Sequence, residues 1–291
     1  MSAEEYHLLG YEKMQSGDYK SAITQFNKAI EINSSDSYSY GARGYAKCEL
    51  KEFDSAIDDL SKAISLDPNN SENYLNRGYA KSGSNRHKEA IDDYNKSIEI
   101  NPESGFTYFK RANSYAMLGE LENALRDYDT SVNYDSSHIL TYINRGGVRT
   151  EIKDYKGAME DFNQVIKLEP TDALAYAKRA RVNSLSGNTK EAMFDINQAI
   201  QLNPTDVGFW HFRAIIKYDT QDYEGVLNDM NEVFRLDPKL ANYGPYKQMV
   251  LGVNKKLGNK VDENLLISFC KNILPFFCRY LFKKSNFETY K

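Results

Sequence analysis

The sequence predicts an all-α chain, a solenoid of helix-turn-helix units finished by C-terminal capping helices. Three observations carry this. A small residue returns every 34 positions, at Ala22, Ala56, Ala90, Ala124, Ala158, Ala192 and, slightly larger, Val226. An aromatic column keeps the same beat at Tyr6, Tyr40, Tyr74, Tyr108, Tyr142, Tyr176 and Trp210, beside a small column at Gly10, Gly44, Gly78, Ala112, Gly146, Ala180 and Ala214. A column of serine or proline closes each unit at Ser34, Pro68, Pro102, Ser136, Pro170, Pro204 and Pro238, where proline cannot continue a helix interior. Helices of one hairpin approach closely only where side chains are short, and large residues of the next hairpin are expected to fill the hollow that this leaves.

These columns resemble the tetratricopeptide repeat, a 34-residue helix-turn-helix. The resemblance covers seven units without insertion or deletion: 3–36, 37–70, 71–104, 105–138, 139–172, 173–206 and 207–240. It implies a right-handed α-solenoid in which each unit touches only its neighbours, so that no central core is required.

The first unit departs most from the rest, as a terminal repeat does: Leu9 and Gln25 stand where later units carry other residues. Its first helix is expected from near Ala3, its turn at Ser16-Gly17-Asp18, and its second helix from about Tyr19 to Ile32. Gly17, Gly119 and Gly187 share the turn column, where positive φ closes a helix at little cost. Lys51 and Lys153 occupy the same column, so their turns should be strained or of another type.

In units two to seven the seventh position is always arginine: Arg43, Arg77, Arg111, Arg145, Arg179 and Arg213. The twenty-third is always aspartate: Asp59, Asp93, Asp127, Asp161, Asp195 and Asp229. Antiparallel helices folded about a turn near position fifteen bring these level, which predicts six ion pairs, each inside one repeat. The alternative, pairing with the preceding unit, would set Arg43 against Gln25 and Lys247 against Asp229. A guanidinium beside a carboxylate in a half-buried joint is hydrogen-bonded and neutralised, which favours a structural ladder over a track for anionic ligands.

After Pro238 the period fails. Residues 241–257 are expected to form a solvating helix, with Tyr246, Met249, Val250 and Val253 as its apolar stripe. Past Gly258-Asn259, Asp262 reads as the N-cap of an apolar, basic helical tail over residues 262–284. Ten Leu, Ile and Phe residues between Leu265 and Phe282 favour membrane insertion; Lys271 and Arg279 oppose it, and the balance is near zero or unfavourable. The tail therefore reads as a helix that docks on protein, its own solenoid or a partner chain in an oligomer, or as an interfacial anchor at an anionic lipid surface.

The totals exclude several functions. The net charge of −4 divides into +6 over residues 241–291 and −10 over residues 1–240. An acidic solenoid is a poor phosphate binder, which argues against nucleic acid. Three cysteines at no metal-ligand spacing read as reduced and inert, and no metal or cofactor is expected. The N-terminal stretch lacks the pattern of a signal peptide, and the cytoplasm is the default compartment. No phosphate loop or nucleophile elbow is present, His7, His87, His138 and His211 are scattered among the repeats, and the chain is not expected to be an enzyme.

What remains is binding. By resemblance, the first helix of each unit lines a concave face that takes an extended peptide or a helix of a partner protein. The residues that resemblance places there are Tyr11, Tyr38, Tyr45, Asn76, Tyr79, Phe106, Lys110, Asn113, Asn144, Lys178 and Arg181. They change from a tyrosine stripe in the first three units to a mixed polar wall further on. Tyrosine supplies area, rigidity and a hydroxyl; the same rings could equally serve only to wedge neighbouring helices apart. The carboxylate clamp of family members that bind chaperone C-termini is matched at Asn113, Asn144 and Lys178, but Phe109 and Leu174 replace two of its lysines.

Overall fold

The computed structural model describes residues 1–258, which hold fifteen α-helices and one 3-10 turn, with no strand among them. The helices come in consecutive antiparallel pairs: α1 (Ala3–Gln15) with α2 (Tyr19–Ile32), α3 (Ser37–Glu49) with α4 (Phe53–Leu66), α5 (Ser71–Gly83) with α6 (His87–Ile100), and α7 (Gly105–Met117) with α8 (Leu121–Tyr134). Then follow α9 (Ile139–Glu151) with α10 (Tyr155–Leu168), α11 (Ala173–Leu185) with α12 (Thr189–Leu202), and α13 (Val207–Asp219) with α14 (Tyr223–Leu236). The 3-10 turn Pro238–Asn242 leads into α15 (Gly244–Lys256). The chain divides into two compact units, Met1–Thr141 and Tyr142–Lys291. The apolar tail 262–284, with its cap at Asp262, lies outside the described residues.

Local chemistry sets the helix ends. Ser2 opens α1 with a capping box: its hydroxyl accepts from the Glu5 amide while the Glu5 carboxylate accepts from the Ser2 amide. Asp36, Asp172 and Asp206 cap later first helices through their carboxylates, and Asp18, Asp154 and Asp222 cap second helices in the same way. Between the helices of every hairpin one residue takes positive φ: Gly17 (78°), Lys51 (62°), Asn85 (63°), Gly119 (78°), Lys153 (65°), Gly187 (80°) and Gln221 (63°). The lysine turns are thus of the glycine type and not of another; the hairpin geometry overrides the side chain's preference and leaves local strain.

The period-34 small residues are all fully buried, from Ala22 to Val226. A Cβ built on Gly10 would stand 2.6 Å from the Phe26 ring, and on Gly44, 2.6 Å from Leu60. Gly78 meets Tyr94 at 2.6 Å and Gly146 meets Phe162 at 2.9 Å. The side chain that fills each hollow therefore comes from the second helix of the same hairpin, not from the next hairpin. Two antiparallel helices bring their own eighth and twenty-fourth positions level, as they do the seventh and twenty-third. Burying one such ring or branched side chain contributes about 1.5–3 kcal/mol.

All six ion pairs lie within single repeats. Arg43 donates to Asp59 from Nε at 2.8 Å and from Nη2 at 2.5 Å, and Arg213 to Asp229 at 3.0 and 2.6 Å. Arg77–Asp93, Arg111–Asp127, Arg145–Asp161 and Arg179–Asp195 repeat the arrangement. Each guanidinium also lies over the aromatic ring three residues before it, 5.3 Å from the Tyr40 centroid for Arg43 and 4.8 Å from Trp210 for Arg213. A second group often joins the aspartate: Lys47 at 2.7 Å from Asp59, Lys81 at 2.8 Å from Asp93, Arg149 at 3.0 Å from Asp161 and Lys217 at 2.9 Å from Asp229. The remaining guanidinium nitrogen reaches back to the preceding hairpin, Arg43 Nη1 to Asn27, Arg77 to Ser61, Arg111 to Asn95, Arg179 to Asn163 and Arg213 to Asn197.

In residues 1–141, first helices pack on one another, α1 on α3, α3 on α5 and α5 on α7, while α2, α4 and α6 also pack on the first helix that follows. The closer packing among first helices puts α1, α3, α5 and α7 on the inner side of this stack. In the second unit, α15 covers the last hairpin: Tyr246, Met249 and Val253 are buried against Ala214, Val226, Met230 and Val233, with Val250 half-buried beside them.

Candidate functional site

The inner side of the first unit carries large side chains that its packing leaves exposed. Tyr38 is 65% exposed, Leu8 57%, Phe106 49% and Tyr11 47%. Behind them Tyr45, Asn76, Tyr79, Lys110 and Asn113 are half-buried. The structure gathers some of these. Lys110 Nζ lies 4.5 Å from the centroid of Tyr79, 4.8 Å from that of Phe106 and 5.8 Å from that of Phe109. Burial pulls its pKa below that of an ordinary lysine, with the nearby Glu49 charge opposing.

Tyr45 and Tyr79 share a neighbourhood with Tyr19 and Glu49. Burial first, and the Glu49 charge second, push the Tyr45 phenol up to about 12 and raise Tyr79 in the same direction. The Tyr19 pKa is raised too, by burial first and then by the Glu49 charge. Glu49 and Tyr19 were not among the residues picked from the sequence. The signal for Glu49 lay in its place on the first helix of its unit, the element that the resemblance assigns to this face; Tyr19 opens a second helix and carried none.

Asn113 has a different role. Its amide oxygen accepts from the Tyr128 hydroxyl at 2.6 Å, and Tyr128 is fully buried, so Asn113 is tied into the core of its hairpin. Phe109, which stands at a clamp-lysine position, is 4% exposed and packs 4.7 Å from the His138 ring. It is a core residue.

In the second unit Asn144, Lys178 and Arg181 are half-buried on first helices. The Lys178 pKa is lowered to about 8, by burial first and then by the Arg181 charge, against the pull of Asp172.

The described residues contain no group of three or more His, Cys, Asp or Glu that could hold a metal. The histidines pack separately: His7 hydrogen-bonds Ser39, His87 bonds Ser82, His138 bonds Thr141, and the His211 ring lies 4.5 Å from Tyr246. Cys48 is buried, which pushes its thiol up to about 12 and leaves it unreactive. No described helix is long and apolar enough to cross a membrane.

Fold and site together define a repeat protein built of helix hairpins with an aromatic-rich first-helix face. Two family models match the sequence, one described as tetratricopeptide repeat over residues 3–36, 71–104, 140–172 and 173–206, and one described as TPR repeat over residues 44–83. The chain belongs to the tetratricopeptide repeat family, a protein-interaction fold. No curated protein sequence matches it.

Solved structures share the fold. The C-terminal part of a TPR repeat-containing protein from Cytophaga hutchinsonii superposes with a TM-score of 0.65 at 19% identity, covering 80% of this chain and 95% of its own. A tetratricopeptide repeat protein from Parabacteroides merdae gives 0.61 at 20% identity, covering 87% and 98%. YrrB, described as a TPR protein with an unusual peptide-binding site, gives 0.54 at 22% identity, covering 62% and 92%.

Proposed function

We propose that the chain is a non-catalytic scaffold that holds an extended peptide or a helix of a partner protein on its first-helix face. Tyr11, Tyr38, Tyr45, Asn76, Tyr79, Phe106 and Lys110 form the contact surface in the first unit, and Asn144, Lys178 and Arg181 contribute in the second. Asn113 acts through the position of its helix. The carrying observation is the exposure of Tyr38, Leu8, Phe106 and Tyr11 on three first helices of one unit, α1, α3 and α7. Exposed aromatics grouped on one face are the usual anchors of a protein interface. The peptide-binding site named for YrrB, a protein of similar fold, supports the same reading.

The test is affinity capture with the full chain, compared with a Tyr38→Ala/Phe106→Ala variant whose thermal midpoint matches the wild type. Both side chains are about half exposed or more, so the fold should persist. Loss of the captured partners is expected; full retention of every one of them would sink the proposal.

A further inference from the structure

α15 ends as the first helix of a hairpin does. The chain leaves it through Gly258 at a φ of 75°, and the Gly258 amide donates to the Lys255 carbonyl at 3.1 Å. Gly17 and Gly187 make the same turn, with φ of 78° and 80° and amides that donate to the carbonyls of Met14 and Ser184 at 3.0 and 3.1 Å. In all seven hairpins a residue in this conformation is followed, two positions on, by the start of a second helix.

The spacing beyond the turn agrees. From the turn residue to the serine or proline that closes the unit is 17 positions in every hairpin, from Gly17 and Ser34 to Gln221 and Pro238; Pro275 stands 17 beyond Gly258. Asn259 occupies the place from which Asp18, Asp154 and Asp222 cap second helices. The unit falls out of step with the period of 34 because α15 starts six residues after Pro238, past the 3-10 turn, whereas α13 starts three after Pro204.

The facing positions agree as well. Eight residues before and after the turn, six hairpins set an arginine against an aspartate; around Gly258 the same two places read Val250 and Leu266, both apolar. Seven before and nine after, Gly146 meets Phe162; here the two places read Leu251 and Ile267. The seven counterparts of Leu251, from Gly10 to Ala214, are all buried, while Leu251 is half-buried.

We infer that residues 260–273 fold back on α15 as the second helix of an eighth hairpin, so that the face around Leu251 is covered by this chain's own segment. Val250, Leu251, Leu266 and Ile267 form the joint. The ion pair of the other units is exchanged here on both sides at once, which strands no charge. Leu251 is larger than its counterparts and sets the returning helix further off, which leaves room for Glu263 where the other units carry alanine or valine. Lys271, at the position of Ile30, Ile64 and Ile200, gives the outer side a charge, as a terminal repeat requires. The apolar run over residues 265–274 thus belongs to the solenoid and is withdrawn from lipid.

Cys270 reads the result. It stands twelve residues past the turn, where Ala29, Ala63, Val165, Ala199 and Val233 are buried. The full chain is alkylated with N-ethylmaleimide and the sites are resolved by peptide mass. Cys270 should react at least about tenfold more slowly than in the urea-unfolded chain, at every protein concentration and without vesicles. Val250→Arg or Leu266→Asp alone should remove that protection. The two together, which rebuild the ion pair of the other units, should restore it.

Cys270 reacting as fast as in the unfolded chain overturns the inference. Protection that grows with protein concentration does so too, and assigns the face to a second copy; protection that appears only with phosphatidylserine vesicles assigns the segment to lipid. A double variant as reactive as either single one overturns the pairing of Val250 with Leu266.

Discussion

Arg179 holds Asp195 through two parallel bonds, from Nε at 3.0 Å and from Nη2 at 2.6 Å, and its third nitrogen reaches Asn163 of the preceding hairpin at 2.8 Å. One side chain thus fixes the angle within a hairpin and the joint between two. The aspartate is buried and the arginine about one-fifth exposed.

Asp195→Ala strands that guanidinium. A loss of about 2–4 kcal/mol is expected, somewhat under the usual figure for a fully buried pair because the arginine keeps some water. Replacing both partners, Arg179→Met with Asp195→Leu, should recover much of it. Urea unfolding of the three proteins decides; a double variant as weak as Asp195→Ala would contradict this.

The positive-φ turns give a second prediction. Lys51, Lys153 and Gln221 hold φ of 62–65°, the left-handed region that a side chain makes expensive. Lys51→Gly, Lys153→Gly or Gln221→Gly should each raise stability by up to about 1 kcal/mol, offset in part by the greater freedom of glycine in the unfolded chain. Gly187→Ala should do the reverse. Thermal midpoints measure both directions.

Close packing gives a third. A methyl on Gly146 would stand 2.9 Å from the Phe162 ring. Overpacking typically destabilises by about 1–3 kcal/mol, and better helix propensity returns roughly 1 of these. Gly146→Ala should therefore be neutral to 2 kcal/mol less stable, and adding Phe162→Leu should relieve the clash. Calorimetry of the single and double variants would show whether the relief exists.

His211 gives a pH dependence. Burial lowers its pKa to about 4. An unfolded histidine titrates near 6.5, so between roughly pH 6.5 and 4 the unfolded chain binds the extra proton. Stability is full above that window and falls as pH drops through it, by about 3 kcal/mol in all. Hydrogen exchange in α13 and α15, where His211 meets Tyr246, should accelerate across that range. His211→Phe should remove this component; an unchanged pH profile would count against it.

The hairpins were legible because the period never slips. With no insertion over seven units, a turn at Ser16-Gly17-Asp18 and a second helix from about Tyr19 to Ile32 could be expected, and α2 runs over Tyr19–Ile32. The arginine ladder was legible for a related reason: folding about a fixed turn pairs positions by subtraction, so Arg43 had to meet Asp59. The return bond from Arg43 to Asn27 was not, because it depends on the rotation between successive hairpins, which no single repeat contains. The strained lysine turns went against residue preference, and only the demand of the hairpin for that backbone shape reveals them. At the binding face, Tyr45 and Tyr79 stood out as a stripe, while Glu49 and Tyr19 join them from different helices and required coordinates. Asn113 read as a surface contact until Tyr128 was seen to hold it.

The back-reaching nitrogens of Arg43, Arg77, Arg111, Arg179 and Arg213 have a mechanical consequence. Every such guanidinium is a rivet whose two ends sit in different hairpins, so its loss slackens a seam and leaves the pieces on either side intact. An array fastened in this way frays from its ends and parts most readily at the rung that has been cut.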